Sequence, residues 1–208
     1  YPTLRYISMH PRSHQLASIF RARGSASHLA FPGFHNVENA LAAITVVLDL
    51  GTSPDLVREA IESYRGVKRR FEFILDRSDL IYIDDYAHHP KEIEALLKSV
   101  KNLYPKKKIT VIFQPHLFTR TRDFYQEFAE KLSLAHEIIL LDIYPAREEA
   151  IPGVDAHLIL DNITQVNKKI VNLDDFPMVL EASQVEVLLT VGAGNIDTLV
   201  PIIKSFYS

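Results

Sequence analysis

The chain has 208 residues, 47% of them hydrophobic, with a formal net charge of −3 and no cysteine. That length holds one large domain or two small ones with an ample core; the charge gives no reason for a nucleic-acid or anionic-membrane partner, and the missing cysteines exclude disulfides and thiolate metal sites and fit a reducing compartment. No apolar run reaches the roughly 18 residues of a membrane span, and the start, Tyr1-Pro2-Thr3, carries neither an initiator Met nor a signal-peptide pattern, so a piece of a longer protein is expected.

Residues 1–34 pattern poorly. They hold arginines at 5, 12, 21 and 23, histidines at 10, 14 and 28, and no acid. An irregular segment is expected there, with a phosphate-binding arm as the sharper alternative. Residues 36–50 (NVENALAAITVVLDL) read as a helix apolar on most faces, hence buried, and Gly51 supplies its stop. Ser53 then caps a second helix with Pro54 at its first position, running to about Tyr64. Arg65 to Arg70 is a basic connector, which places the domain boundary between 1–70 and 71–208.

From Phe71 onward strands and helices alternate. Strands are expected over 71–76, 79–84, 109–114, 137–143 and 186–191, with a weaker one near 157–160. Helices are expected over 90–103, 121–134, 173–183 and 195–206. This order predicts an α/β fold with a doubly wound, mostly parallel sheet and helices on both faces. Ligands bind such sheets at the carboxyl ends of the strands.

Several polar clusters fall at the edges of these elements. Asp84-Asp85-Tyr86-Ala87-His88-His89-Pro90 joins the strand Leu80-Ile81-Tyr82-Ile83 to a helix that Pro90 opens, crowding two carboxylates and two imidazoles onto one turn. A carboxylate there suits ribose hydroxyls, and a neutral His suits proton acceptance from an attacking amine. Adjacent His88 and His89 do not point the same way easily, so no metal site is assigned. Gln114 to Asp123 sits between another strand and helix; Thr121 as cap and Asp123 near the positive end have structural explanations, which leaves His116, Arg120 and Arg122, and an Arg suits bidentate capture of a carboxylate. Asn36 and Asn39 lie three apart on one side of a first turn beside His35, and an Asn has the donor and acceptor that read an adenine edge. Lys68-Arg69-Arg70 is either a solvated linker or a clamp on phosphate or ribose. Gly192-Ala193-Gly194-Asn195 is either an anion-binding turn or simply a tight one.

Together these stretches resemble the Mur ligase family. The matching motifs are PGFHNVENALAAI (32–44), GVKRRFE (66–72), DDYAHHPKEI (84–93), FQPHLFTRTRDF (113–124), LLDIYPAREEAIPGVD (140–155) and VGAGNI (191–196). The resemblance implies a Rossmann-like C-terminal domain preceded by a helical remnant of a central ATPase domain, in a cytoplasmic enzyme of peptidoglycan synthesis. Its motifs are most similar to those of the member that joins L-alanine to UDP-N-acetylmuramate through an acyl phosphate, with ATP and Mg2+. By position, the resemblance implies adenine-side contacts from His35, Asn36 and Asn39, nucleotide contact from Arg70 with Arg69, and a ribose contact from Asp85. It implies that His88, His116 and Arg120 surround the alanine, with Arg120 on its carboxylate and the histidines positioning groups or handling protons.

Two departures stand out. The family often carries Arg after the Pro-His of the fourth motif, where this chain has Leu117, one guanidinium fewer in the amino-acid pocket. No GxxxxGK[ST] phosphate loop occurs anywhere. The family keeps that loop and the magnesium ligands upstream, so this chain is expected to be inactive alone. The sequence leaves the oligomeric state open. Three rivals make different expectations. A tripeptide-recycling family member shares the KRR linker and the AHHP turn but not QPH and TRTRD. A binding module would bind without turnover. A metal-dependent hydrolase on Asp84, Asp85, His88 and His89 would be chelator-sensitive.

Overall fold

The structure is a computed structural model that describes residues 18–22, 25–29, 34–64, 66–165, 167–176 and 185–208. The chain divides into two compact units, residues 1–67 and 68–208.

In the first unit, β1 (Ser18–Ala22) and β2 (Ser25–Leu29) pair antiparallel, Ser18 opposite Leu29 and Ala22 opposite Ser25. This hairpin corrects the irregular segment expected there. Strands of five residues, half of them Ser or Ala and with the apolar Ile19 and Phe20 adjacent, carry almost no apolar alternation, so the pattern was silent. Of the phosphate-binding arm offered as the alternative for residues 1–34, residues 1–17, 23–24 and 30–33 lie outside the described residues. Helix α1 (Phe34–Asp49) ends as expected at Gly51, whose φ of +87° closes a Schellman turn: Gly51 N–H donates to Leu48 O and Thr52 N–H to Val47 O, both at 3.0 Å. Helix α2 (Pro54–Ser63) opens on Ser53, whose Oγ accepts from Leu56 N–H. Among the described residues, the two helices bury only Ala40, Ile44 and Val57 between them. Val46 is 58% and Leu50 79% exposed, so α1 is not the buried helix its composition suggests. An all-round apolar helix needs cover on every side, and α2 covers one.

The second unit is built on six strands: β3 (Glu72–Asp76), β4 (Ile81–Asp85), β5 (Ile109–Phe113), β6 (Glu137–Leu140), β7 (Lys168–Ile170) and β8 (Val187–Val191). Their order is β3-β4-β8-β5-β6-β7, parallel throughout except for the antiparallel edge pair β3–β4. Side-chain alternation sorts the core into two layers. Ile81, Ile83, Val111, Phe113, Leu189 and Val191 pack against α3 (Pro90–Leu103), α4 (Phe118–Leu132) and α5 (His157–Leu160). Tyr82, Ile112 and Leu188 face the other way, against Phe176, Ile196 and the helix α6 (Leu199–Tyr207). The expected doubly wound, mostly parallel α/β fold is therefore present.

Three expectations change and a fourth is only partly described. Residues 157–160 form a helix rather than a strand: Asp155 Oδ1 accepts from His157 N–H at 2.9 Å at its start, and Lys168 Nζ donates to Leu160 O and Ile163 O at its end. The weaker strand is instead Lys168–Ile170, an edge strand too short and too polar to show a pattern. Helix α4 begins at Phe118, so Thr121 is not its cap; Thr121 lies inside, its Oγ1 donating to Leu117 O at 2.9 Å. The helix expected over 173–183 begins as a 3-10 turn, Leu173–Asp175, and residues 177–183 lie outside the described ones.

The turn after β8 is shaped by packing. A Cβ on Gly192, where φ is +149°, would sit 2.8 Å from Gln114 O, and one on Gly194 would sit 2.7 Å from Tyr144 Cβ. The backbone passes too close to Gln114 and Tyr144 for any side chain. Overpacking of this kind costs about 1–3 kcal/mol. Gly194→Ala is therefore expected to lower stability by that amount in a denaturant melt of the chain, with the slope unchanged.

Candidate active site at the carboxyl ends of the strands

The chain leaves β4 and β5 toward one face of the sheet and leaves β8, between them, toward the other. That divergence opens a crevice at the strand ends, where open α/β sheets bind ligands.

The crevice rests on Arg69 and Asp84. Asp84 is 1% exposed and lies within β4, paired in the ladder with Thr190. This corrects the picture of two carboxylates on a turn: Asp84 belongs to the strand and Asp85 ends it. Arg69 Nε donates to Asp84 Oδ2 at 3.1 Å, Thr190 Oγ1 donates to Asp84 Oδ1 at 2.6 Å, and Tyr82 Oη lies 3.2 Å from Thr190 Oγ1. The Arg69 guanidinium also donates to Gly192 O at 2.6 Å and Gly194 O at 3.4 Å, and lies over the Tyr86 ring. Burial pushes the Asp84 carboxyl up, against the opposing pull of Thr190 and Arg69.

The backbone around Arg69 is fixed by the same strand end. Arg69 N–H donates to Glu72 Oε2 and Tyr86 N–H to Arg69 O, both at 2.7 Å. Phe71 N–H donates to Asp85 Oδ2 at 2.7 Å and Ala87 N–H to Asp85 Oδ1 at 2.8 Å. Burial raises the Asp85 carboxyl also, opposed by these N–H groups and by Arg70. Arg69 and Phe71 both hold left-handed backbones, φ +60° and +50°, at about 1–2 kcal/mol each. Arg70, between them, is exposed.

Beyond β4 the turn is locked by Glu92. His88 and His89 N–H both donate to Glu92 Oε2, and His89 Nδ1 accepts weakly from Lys91 N–H, completing a capping box for α3 with Pro90 at its first position. His89 stacks edge-on to Phe124, so it is a cap and packing group. His88 Nδ1 lies 3.0 Å from Tyr86 O. A carbonyl only accepts, so Nδ1 carries the proton and Nε2 of a neutral His88 is left as an acceptor.

The loop after β5 brings His116 beside His88, ring centres 6.1 Å apart. Arg120 Nη1 lies 3.3 Å from His116 Nδ1. Since Arg only donates, His116 Nδ1 accepts and its Nε2 holds the proton. Burial first, then the Arg120 cation and His88, hold this imidazole below its ordinary 6.5. His116 also stacks on Tyr144, at 5.7 Å and 21°. Gln114, buried, donates through Nε2 to Asn195 Oδ1 and accepts at Oε1 from Ile196 N–H, which ties the β5 and β8 loops together.

The structure thus gathers His88, His116 and Arg120 in one place, with Arg69, Arg70 and Asp85 at the neighbouring strand end. Asn36, half-buried, and Asn39, exposed, sit on the first turns of α1 in the other unit, as does the backbone of His35, whose side chain lies outside the described residues. Sequence reasoning assigned no role to Tyr144 or Glu148. Both lie in LLDIYPAREEAIPGVD, where the signal was a polar run straight after a buried strand.

Over residues 69–195 the chain matches the family described as Mur ligase, glutamate ligase domain. The chain belongs to the Mur ligase family. The matched stretch starts at Arg69 and ends at Asn195, so both sides of the Arg69–Gly194 contact fall within it. Relatives include the UDP-N-acetylmuramate–L-alanine ligases of Cytophaga hutchinsonii, 48% identical over 85% of this chain and 38% of that protein, and of Flavobacterium johnsoniae, 47% identical over 83% and 38%. This Mur ligase chain therefore spans well under half the length of these relatives. The crystal structure of the Thermotoga maritima UDP-N-acetylmuramate–alanine ligase aligns with a TM-score of 0.73 at 33% identity, covering 92% of this chain and 42% of that one. A murein peptide ligase from Psychrobacter arcticus shares the fold at 19% identity and TM-score 0.63, over 97% of this chain and 43% of its own.

Asp84→Ala is expected to cost about 3–5 kcal/mol, because it strands a partly buried guanidinium; urea unfolding of the chain measures it. In an NMR titration His116 is expected to titrate below 6.5, and Arg120→Ala to move its midpoint upward. The unfolded chain takes up this proton first, so His116 weakens the fold as pH falls from 6.5 toward the lowered native value and has no such effect above 6.5.

Proposed function

We propose that this chain is the C-terminal part of an ATP-dependent ligase that joins L-alanine to UDP-N-acetylmuramate in the cytoplasm, for peptidoglycan synthesis. One observation carries the reading: His88, His116 and Arg120 converge on the crevice in a chain 48% identical to an enzyme of that name. The reaction makes an acyl phosphate from the muramate carboxylate and ATP, which the alanine amine then attacks.

Each group has a task its geometry suits. Arg120 uses one N–H on His116, and its remaining donors form a fork for the alanine carboxylate. Arg120 is the guanidinium for this task, since Leu117 stands where the family often has another. Attack requires a neutral amine, and His88 Nε2 is the acceptor for its proton because Nδ1 is held by Tyr86 O. His116, neutral at pH 7, donates from Nε2 and orients Arg120 through Nδ1.

On the nucleotide side, exposed Arg70 supplies a cation beside Asp85, and Asp85 retains lone pairs for ribose hydroxyls after accepting from Phe71 and Ala87. Arg69, bonded to Asp84 and two carbonyls, holds that joint in shape. By their position in the matching motif we assign His35, Asn36 and Asn39 to the adenine side. When bound, ATP with Mg2+ supplies the activated phosphoryl group; the magnesium ligands and the phosphate loop are assigned to the upstream part.

Phosphate release by the full-length protein, given ATP, Mg2+ and UDP-N-acetylmuramate, is expected with L-alanine and not with the murein tripeptide. Arg120→Ala is expected to lower kcat/KM for alanine about 10²-fold, the worth of a lost charge-assisted hydrogen-bond pair. Release with the tripeptide alone would move the reading to recycling, and binding without release from either acceptor would leave a binding module.

A further inference from the structure

Helix α4 carries Arg120 on its first turn, and that turn is not held in the ordinary way. Its N-cap is Leu117, which offers no side-chain acceptor and has a left-handed φ of +73°. The Thr121 hydroxyl, one turn in, bonds back to Leu117 O inside the helix. The free N–H groups of a helix start need acceptors from somewhere.

They come from another part of the chain. The segment after β6 runs beside the segment after β5: Tyr144 N–H donates to Pro115 O at 2.8 Å and Leu117 N–H to Tyr144 O at 3.0 Å. It then turns at Ala146, φ +52°, with Glu148 N–H donating to Pro145 O at 2.9 Å. That turn aims the Glu148 carboxylate at the start of α4. Glu148 Oε2 accepts from Thr119 N–H at 3.0 Å and Oε1 accepts from Thr119 Oγ1. A carboxylate at a helix N-terminus also meets the positive end of the helix. The same segment presents Tyr144 to the His116 ring.

We infer that Glu148 is a positioning residue for the amino-acid pocket: it caps α4 from outside the helix and so fixes the turn that carries Arg120 beside His116. The inference rests on the proposed ligase reading for its kinetic consequence, but not for its structural one. Glu148 also carries a counter-charge near both groups. It is drawn toward the Arg120 cation, and its charge opposes the fall in the His116 pKa.

The test uses Glu148→Ala, Glu148→Gln, and Thr119→Ser, which keeps both donors. In the 208-residue chain, the Thr119 amide is expected to lose its hydrogen-bonded chemical shift in Glu148→Ala, and the His116 midpoint to move down in both Glu148 variants. In the full-length enzyme, KM for alanine is expected to rise about 10-fold in Glu148→Ala with kcat within about 3-fold, the split expected when a group places a binding residue; Thr119→Ser is expected to match the wild type. Glu148 variants with a wild-type KM, or an unmoved Thr119 amide and His116 midpoint, would overturn the inference. A wild-type enzyme without alanine-dependent turnover would remove the ligase reading alone, since the amide and midpoint would still decide whether Glu148 holds α4.

Discussion

The ion pair between Arg69 and Asp84 is the contact on which the site depends. A carboxylate so far inside a sheet is costly, and it stays because it accepts from a guanidinium and a threonine hydroxyl at once. In return, the guanidinium gathers parts of the chain that are distant in sequence. It reaches Asp84 on β4 and the carbonyls of Gly192 and Gly194 after β8. The turn after β8 is one wall of the crevice. The pair reinforces the link that Asp85 makes between the turn after β8 and the start of β3, where Asp85 O accepts from Gly192 N–H and Asp85 Oδ2 from Phe71 N–H.

The connector is fastened to the sheet by the same arrangement. Arg69 and Phe71 accept left-handed backbones because Glu72, Asp85 and Tyr86 hold their N–H and carbonyl groups. Arg70, between two fixed residues, is turned outward. One basic run thus divides its work: one guanidinium maintains the fold and the next is presented to solvent.

The other wall is ordered from the far side. Gln114 reaches across to Asn195 and Ile196, and the loop after β6 lies along the loop after β5, stacking Tyr144 on His116. These are contacts between loops, yet each loop begins on a buried parallel strand. The rigidity of the sheet therefore passes directly to the side chains in the crevice.

The alternation of apolar strands with helices was legible from the residues alone, because fully buried parallel strands such as Ile109 to Phe113 are nearly continuous apolar runs and helices such as α3 have a 3.6-residue period and a marked start. So was the placement of His88 and His116 on strand-to-helix connections, since their motifs directly follow such runs; Arg120, expected there too, lies on the first turn of α4. Tertiary structure decided the rest. Which of Asp84 and Asp85 is buried follows from strand register, which a pattern fixes only to within a residue or two. The strand at 168–170 was set by its pairing with β6, some 30 residues earlier, and Lys168 on that strand in turn closes the helix at 157–160. The conversion of Arg69 into a structural group and the capping of α4 by Glu148 join residues 15 and 29 apart in sequence. Local periodicity carries no trace of such contacts, because the energy that selects them exists only once the sheet has brought the two ends together.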